Sequence, residues 1–318
     1  MSKILYLVIP CYNEEEVLKD SASKLKTVMN RLVSDNRISG ESRIVFVNDG
    51  SEDLTWQIIK ELHAEDSLFG GINLTRNRGH QNALLAGLET VKDDADIVIS
   101  LDADLQDDIE VIGEMVAKND EGYDIVYGVR NNRRKDSFFK RHSAQSFYKI
   151  TKHLGGEIIY NHADFRLMSR RAIEGLMEFS EVNLFLRGLV PMVGYPQTTV
   201  EYERKERLAG ESKYPLRKMI AFALEGVTSL SVKPMKMITR LGIFVFLGSI
   251  VMLAYVLVSF FTHHTVAGWS SILVSVWVIG GLLLLAVGII GEYIGKIYLE
   301  TKKRPRYIVE EYLKDDGK

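Results

Sequence analysis

The residues best suited to chemistry lie in one short stretch, Leu101-Asp102-Ala103-Asp104-Leu105-Gln106-Asp107-Asp108. Asp102 and Asp104 follow a short β-branched run, residues 97–101, which has the composition of a strand buried in a parallel sheet. Side chains two residues apart in an extended chain point the same way, so both carboxylates can face one crevice. Hard oxygen ligands suit Mg²⁺ or Mn²⁺ held against phosphates, and we predict Asp102, Asp104 and Gln106 as metal ligands.

A second copy of the same tripeptide, Asp94-Ala95-Asp96, precedes this strand instead of following it. Ligands of open α/β sheets bind beyond the carboxyl ends of the strands. Position therefore favours Asp102 and Asp104 as the binding pair and predicts that Asp94 and Asp96 are solvated loop acids. Taken alone, the Asp-x-Asp pattern is equally compatible with a plain acidic loop.

The elements that must position these acids alternate between strands and helices along residues 1–130, which is typical of a parallel sheet with crossover helices. We predict an α/β fold with strands near residues 4–9, 43–47, 71–75, 97–101 and 124–127. The first three strands end in polar loops, Pro10-Cys11-Tyr12-Asn13-Glu14, Asn48-Asp49-Gly50-Ser51 and Arg76-Asn77-Arg78-Gly79-His80. Such loops meet at one sheet edge and can form a nucleotide-sized crevice, although each alone is also explained as a turn or a helix cap.

The last third of the chain is far more apolar than the rest. Two runs, residues 238–261 and 271–293, are each long enough to cross a bilayer core of about 30 Å. The loop between them contains no Lys or Arg, whereas basic residues flank both runs on their outer sides, which predicts that both termini are cytoplasmic. The alternative is a buried helical hairpin in a soluble protein.

Several function classes are disfavoured by composition. The net charge of −2 argues against nucleic-acid binding, and the single cysteine, Cys11, excludes an intramolecular disulfide and a cysteine-based metal cluster. Dinucleotide and P-loop glycine patterns do not occur. We expect no secretory signal, because the first apolar run, residues 4–9, is too short.

The motifs together resemble family 2 glycosyltransferases with the GT-A (Rossmann-like) fold. Within that family they are most similar to the membrane-anchored polyprenyl-phosphate glycosyltransferases related to dolichol-phosphate mannose synthase. The matching segments are Val8-Ile9-Pro10-Cys11-Tyr12-Asn13-Glu14, Val47-Asn48-Asp49-Gly50-Ser51, Asp102-Ala103-Asp104, Ala163-Asp164-Phe165-Arg166-Leu167 and Arg207-Leu208-Ala209-Gly210-Glu211-Ser212-Lys213-Tyr214. Processive members carry a Gln-x-x-Arg-Trp motif, where this chain has Asn183-Leu184-Phe185-Leu186-Arg187-Gly188. That departure favours single transfer to a lipid phosphate over polymer synthesis.

The resemblance implies a site for a nucleotide diphosphate sugar. The residues that it assigns to the nucleoside are Pro10, Tyr12, Asn13, Glu14, Val47 and Asp49. It assigns Asp102, Ala103 and Asp104 to the ribose, diphosphate and metal, and Arg207 and Lys213 of a mobile loop to the phosphates. Arg130 begins a basic cluster that we predict to attract anionic lipid heads, including the acceptor phosphate, although a plain solvated face explains this cluster equally well.

On the acceptor side, the resemblance implies that Asp164 is the catalytic base and that Arg166 orients it or meets the acceptor phosphate. A phosphate monoester has its second pKa near 6, so the acceptor oxygen is largely ionised at neutral pH. Asp164 could therefore position a neighbouring group instead of removing a proton.

The sequence thus predicts inverting transfer of a hexose, from UDP-glucose, to undecaprenyl or dolichyl phosphate on the cytoplasmic face of the plasma membrane. UDP-GlcNAc, UDP-GalNAc and GDP-mannose are alternative donors, and a non-catalytic nucleotide- or lipid-phosphate-binding protein is the alternative of another class. The predicted domains are a GT-A domain at 1–215, an amphipathic connector at 216–237, two transmembrane helices at 238–295 and a cytoplasmic tail at 296–318. The resemblance also implies a homotetramer.

Overall fold

The computed structural model describes residues 2–130, 162–181, 185–203 and 268–314, with isolated positions between 238 and 251. Within these ranges, helices pack on both faces of an eight-stranded sheet. The strands are β1 Leu5–Cys11, β2 Arg43–Asn48, β3 Phe69–Leu74, β4 Ile97–Ser100, β5 Ile125–Arg130, β6 His162–Ser169, β7 Gln197–Tyr202 and β8 Val309–Leu313. The helices are α1 Leu18–Ser34, α2 Thr55–Glu65, α3 His80–Val91, α4 Ile112–Asp120, α5 Arg170–Met177, α6 Leu186–Met192 and α7 Trp269–Thr301, with a 3₁₀ turn at Ile109–Val111.

The strand order across the sheet is β7-β5-β6-β4-β1-β2-β3-β8. Strands β4, β1, β2 and β3 form a parallel block, which confirms the predicted α/β class. β6 lies antiparallel between β4 and β5, and β8 lies antiparallel beside β3. In a parallel block all carboxyl ends share one edge, so the loops after β1, β2, β3 and β4 are neighbours.

Alternate side chains of β1 enter two apolar layers, one on each face of the sheet. Leu5, Leu7 and Ile9 pack with α1 and α4, whereas Tyr6 and Val8 pack with α3. Each fully buried aliphatic side chain of this size contributes about 1.5–3 kcal/mol to folding. Apolar residues recur at helical spacing along α1, and the face that they form is buried in full, at Leu18, Ala22, Leu25, Met29 and Leu32.

Two glycines allow the close approaches that assemble the carboxyl edge. A Cβ at Gly87 of α3 would lie 2.4 Å from Val8 Cγ1, so only glycine lets α3 pack this closely on β1. Gly50 has φ +65°, and a Cβ there would lie 2.5 Å from the backbone carbonyl carbon of Arg76. The loops after β2 and β3 therefore touch, and the first residue of α3, His80, is held near the end of β4.

The acidic tripeptide that precedes β4 has fixed partners. The Asp96 carboxylate accepts hydrogen bonds from the Ile4 backbone N–H at 2.9 Å and from the Arg170 guanidinium at 3.3 Å. Asp94 forms a salt bridge with Lys314 at 2.7 Å. These acids therefore join elements of the fold, whereas the sequence predicted merely solvated loop acids.

The described part of the chain contains one helix that is long and apolar enough to cross a membrane, within α7 at Val278–Thr301. It overlaps the second of the two predicted spans. The first predicted span, 238–261, lies largely outside the described residues, as does the predicted connector at 216–237. Residues 309–313 of the predicted tail form β8, a strand that local sequence patterns did not reveal.

Candidate active site

The loops after β1 and β2 are joined by hydrogen bonds. Asn13 adopts φ 54°, its backbone N–H donates to Ser51 Oγ at 3.0 Å, and its side-chain oxygen accepts from the Glu52 backbone N–H at 2.9 Å. The Glu14 backbone N–H donates to Thr55 Oγ1 at 2.9 Å. Asn13 therefore orders the two predicted nucleoside loops in this structure.

Two predicted donor-binding residues lie within the strands that precede these loops, Pro10 in β1 and Val47 in β2. Pro10 and Val47 pair across β1 and β2, and both are buried. Tyr12, by contrast, is 44% exposed and lines an open depression at this edge of the sheet. An exposed aromatic ring at such an edge can stack on the planar base of a nucleotide.

Asp49 organises the loop that leads into α3. Its two carboxylate oxygens accept from the backbone N–H groups of Arg78, at 2.7 Å, and Gly79, at 2.8 Å. Burial raises the pKa of Asp49, and the two hydrogen bonds oppose that rise. The predicted contact of Asp49 with the nucleoside stays a prediction, since the structure shows both oxygens engaged in holding this loop.

Asp102 and Asp104 lie just beyond β4, at the edge where the sequence predicted them. The backbone between them is anchored to α1, because Ser21 Oγ donates to the Ala103 carbonyl oxygen at 2.7 Å. The Asp104 carboxylate accepts from the Gln106 backbone N–H at 3.3 Å. The Gln106 side chain itself is 4% exposed, so it has far less access to the crevice than Asp102, at 43%.

The crevice concentrates negative charge around Asp102. Burial raises the pKa of Asp102, and His80 opposes that rise. The carboxylates of Asp164, Asp107 and Asp104 raise it further, because like charges disfavour ionisation. A divalent cation would relieve this repulsion, so the electrostatics fit the predicted metal.

The ligand set fits a metal that is shared with a substrate. In the described ranges, no cluster of three or more His, Cys, Asp or Glu side chains is arranged to hold an ion alone. Mg²⁺ in phosphoryl sites commonly takes one or two carboxylates and completes its shell with waters and substrate phosphates. Asp102 and Asp104 could supply that protein share.

Asp164 lies on β6 and is enclosed by two guanidinium groups. Arg187 of α6 donates to it through Nε at 3.2 Å and Nη2 at 2.9 Å, and Arg166 Nη2 donates at 3.1 Å. Burial raises the pKa of Asp164, but Arg187 and Arg166 outweigh that effect and hold the pKa well below its usual range. A carboxylate so strongly ionised is a poor proton acceptor.

His80 connects the two carboxylate sites. Its Nε2 lies 3.6 Å from Asp102 Oδ1 and 3.8 Å from Asp164 Oδ2. The backbone of β6 is tied to the end of β4 as well, since Ser100 Oγ donates to the Asp164 carbonyl oxygen at 2.6 Å. The predicted metal site and the predicted base therefore belong to one crevice.

Arg130 ends β5 in a largely buried cluster. Its guanidinium donates to Asp107 Oδ1 at 3.1 Å and to the Tyr202 hydroxyl at 3.2 Å, and that hydroxyl donates to the same carboxylate oxygen at 2.5 Å. Asp107 is only 4% exposed, whereas the Arg130 side chain is 30% exposed. The cluster therefore orients a guanidinium whose open part is available to an anion.

Sequence reasoning assigned no role to His80, Asp107 or Arg187. All three lie in segments that the motifs highlighted, but no local pattern links them to Asp102, Asp164 or Arg130. Arg207, Lys213 and the basic cluster after Arg130 lie outside the described residues, so their predicted roles stay predictions.

Comparison with known proteins matches the chain to one family and to several glycosyltransferases. The model of the family "Glycosyl transferase family 2" matches residues 6–177. An uncharacterized glycosyltransferase of Bacillus subtilis, YkoT, is 48% identical over 307 residues, covering 96% of this chain and 91% of its own. The bactoprenol glucosyl transferase of Shigella phage SfX is 42% identical over 306 residues, covering 96% of this chain and 98% of its own. Among solved structures, the mannosyltransferase PcManGT of Pyrobaculum calidifontis in complex with GDP-Man and Mn²⁺ is 16% identical with a TM-score of 0.49, covering 94% of this chain and 85% of that one.

Proposed function

The chain belongs to glycosyl transferase family 2, and we propose that it transfers glucose from UDP-glucose to the phosphate of a polyprenyl lipid, undecaprenyl or dolichyl phosphate. The observation that carries the proposal is the end-to-end match with a bactoprenol glucosyl transferase, whose name gives both the sugar and the lipid class. The acid-rich crevice beside two oriented guanidinium groups supports the same chemistry. Transfer would proceed with inversion and yield a lipid-phosphate sugar for envelope glycosylation.

On the donor side, Asp102 and Asp104 would hold Mg²⁺ or Mn²⁺ against the diphosphate. When bound, that ion acts as a Lewis acid that stabilises the charge developing on the departing nucleoside diphosphate. Arg130 would add a fixed positive charge, since Asp107 and Tyr202 hold its guanidinium in place. The loops after β1 and β2 would hold the nucleoside.

On the acceptor side, a lipid phosphate oxygen attacks the anomeric carbon while the bond to the diphosphate breaks. Because the second pKa of a phosphate monoester is near 6, this nucleophile is ionised at neutral pH without help from a base. The bidentate contact of Asp164 with Arg187 supports a positioning role for the carboxylate. Arg187, 35% exposed, would then present its guanidinium to the acceptor phosphate.

The sheet topology supports the predicted two-helix anchor. Residues before α7 form strands β1 to β7, and residues after α7 form β8, which pairs with β3 of the same sheet. A chain that leaves a domain, crosses a bilayer and returns to that domain must cross an even number of times. If α7 is one crossing, the second must lie within residues 204–267, which contain the predicted span 238–261. Both termini would then be cytoplasmic, on the same side as the crevice, and the homotetramer stays a prediction from resemblance.

The test is a transfer assay with the detergent-purified full chain, Mg²⁺ or Mn²⁺ and undecaprenyl phosphate. Radiolabelled UDP-glucose, UDP-GlcNAc, UDP-GalNAc and GDP-mannose are supplied in parallel, and label in the organic phase is counted. We expect label from UDP-glucose alone, with UDP release that requires the lipid phosphate. Label from another donor would correct the sugar, and nucleotide binding without release would overturn the reaction.

The two acidic tripeptides provide a matched control in the same assay. Asp104→Asn should abolish metal-dependent transfer, whereas Asp94→Asn, the same type of change in the tripeptide before β4, should leave it within about twofold. Asp94 binds Lys314 at an exposed position, and such surface pairs contribute about 0–1 kcal/mol. Equal losses in both variants would contradict a specific role for Asp104.

A further inference from the structure

A hydrogen-bond ladder runs along the carboxyl edge from the C-terminal strand to the loop after β2. Glu310 Oε2 of β8 accepts from Asn73 Nδ2 at 2.8 Å, and Asn73 Oδ1 accepts from Asn48 Nδ2 at 2.7 Å. Asn48 Oδ1 in turn accepts from the Ser51 backbone N–H at 3.2 Å. The ladder therefore begins on a residue that follows the apolar helix and ends in a predicted nucleoside loop.

The ladder has a direction that both of its ends set, because the Glu310 carboxylate can only accept and the Ser51 backbone N–H can only donate. A carboxylate only accepts hydrogen bonds, whereas a side-chain amide donates from one side and accepts on the other. With the Asn73 nitrogen turned toward Glu310, the Asn73 oxygen must face Asn48. Asn48 then turns its nitrogen to Asn73 and its oxygen to Ser51. A donor at position 310 would face the Asn73 nitrogen, and the two amides could not both turn over without placing the Asn48 nitrogen against the Ser51 backbone N–H.

The ladder borders an open depression of about 420 Å³, which Tyr12, Ser51, Trp56, Arg76 and Glu310 also line. Ser51 holds Asn13 through its hydroxyl, so the ladder reaches the loops after both β1 and β2. Amide orientation at Asn48 and Asn73 decides whether donors or acceptors face this space. The polarity of this wall thus depends on a ladder that Glu310 completes at one end and the Ser51 backbone N–H at the other.

The strand that carries Glu310 is firmly attached to the catalytic sheet. β8 pairs with β3 from Gly71 to Leu74, the Tyr307 hydroxyl donates to the Glu89 carboxylate, and Arg306 donates to the Phe179 carbonyl oxygen at 2.6 Å. Only residues 302–308 separate α7 from β8. The wall of the depression and the apolar helix are therefore linked by a short, anchored segment.

We propose that Glu310 is a positioning residue of the nucleoside pocket and that the C-terminal strand thereby ties donor binding to the membrane helix. This inference rests on the proposed function, because it assigns the depression to the nucleoside of the donor. Glu310 acts through Asn73 and Asn48, which set the hydrogen-bonding pattern that the nucleoside meets.

The test replaces the hydrogen-bond acceptor at the Glu310 end of the ladder by a donor. Glu310→Lys replaces an acceptor by a donor, and Glu310→Gln retains an acceptor oxygen. Glu311→Lys is the matched control, since it makes the same charge change one residue along the strand, where Glu311 pairs with Lys60 at 3.1 Å outside the ladder. All variants are made in the full chain, and UDP binding in Mg²⁺ is measured by calorimetry.

We expect Glu310→Lys to weaken UDP binding about tenfold and to raise the donor KM equally, with the lipid KM, kcat and Tm little changed. Glu310→Gln and Glu311→Lys should stay within about twofold of wild type. An added positive charge by itself would tighten binding of anionic UDP, so weaker binding identifies the lost acceptor.

Three outcomes separate failure of this inference from failure of the proposed function. If the wild-type chain binds UDP and Glu310→Lys binds it equally well, the role of Glu310 is wrong. If Glu310→Lys lowers Tm and raises both KM values together, the residue is merely structural and the inference is also overturned. A wild-type chain that binds no UDP would overturn the proposed function itself.

Discussion

Replacing Asp164 by Asn tests whether this carboxylate removes a proton or holds Arg187. The change keeps the side-chain shape but removes the negative charge that two guanidinium groups contact at 2.9–3.2 Å. An Asn side chain has one acceptor oxygen, so it cannot reproduce the bidentate contact with Arg187. Arg187 would lose its fixed orientation toward the acceptor phosphate.

The expected loss follows from the bonds removed. A hydrogen bond to a charged group contributes about 1.5–3 kcal/mol, and partial exposure of Arg187 argues for the lower part of the range. Losing one such bond and weakening the second costs about 2–3 kcal/mol. That free energy corresponds to roughly 30- to 150-fold in kcat/KM for the lipid phosphate.

The pH dependence distinguishes the two roles. The pKa of Asp164 lies well below its usual range, because Arg187 and Arg166 outweigh the effect of burial. Asp164 is then ionised at every assay pH, and activity should fall only as the acceptor phosphate protonates near pH 6. Wild type and Asp164→Asn should show the same midpoint, with the variant lower throughout.

The positioning role would be refuted if Asp164→Asn matched wild type at pH 8, where the acceptor is fully ionised, and lost activity only near pH 5.5. That pattern would show that the carboxylate removes a proton. Because Arg166 is 1% exposed and would lose its anionic partner, folding must be checked through Tm and UDP affinity. Arg187→Gln leaves the contact between Asp164 and Arg166 in place and should reproduce the kinetic loss without that risk.

Four further outcomes are expected. Gly87→Ala places a Cβ 2.4 Å from Val8 Cγ1 and should lower the free energy of unfolding by about 1–3 kcal/mol in urea titrations. Asp107→Asn removes the anion that orients Arg130 and should raise the donor KM about tenfold, while the lipid KM stays constant. EDTA should stop transfer, and added Mg²⁺ or Mn²⁺ should restore it without a change in circular dichroism. The pKa of Asp164 is lower in the folded than in the unfolded protein, so the ionised carboxylate stabilises the fold above the unfolded pKa of about 3.9, and this stabilisation is lost at lower pH. The free energy of unfolding of Asp164→Asn, measured by urea denaturation, should therefore fall less steeply with decreasing pH than that of wild type.

Local patterns predicted the scaffold of the site well. Short β-branched runs ending in polar loops identified β1, β2 and β4, and helical spacing identified the buried face of α1. These signals are local because strand and helix periodicities depend on near neighbours in the chain. The position of each acidic pair relative to β4 correctly placed Asp102 and Asp104 at the carboxyl edge and Asp94 and Asp96 at the opposite end, and the metal role of the first pair stays a prediction.

Sequence patterns were enough to predict the α/β class, the acidic edge after β4 and, through the motifs, the family. Which groups face one another across that edge depends instead on packing in three dimensions. Arg187 meets Asp164 because the fold brings the start of α6 to β6, and Glu310 reaches Asn73 because β8 pairs with β3. Contacts between residues this far apart depend on how whole elements pack, so no local spacing could have revealed them.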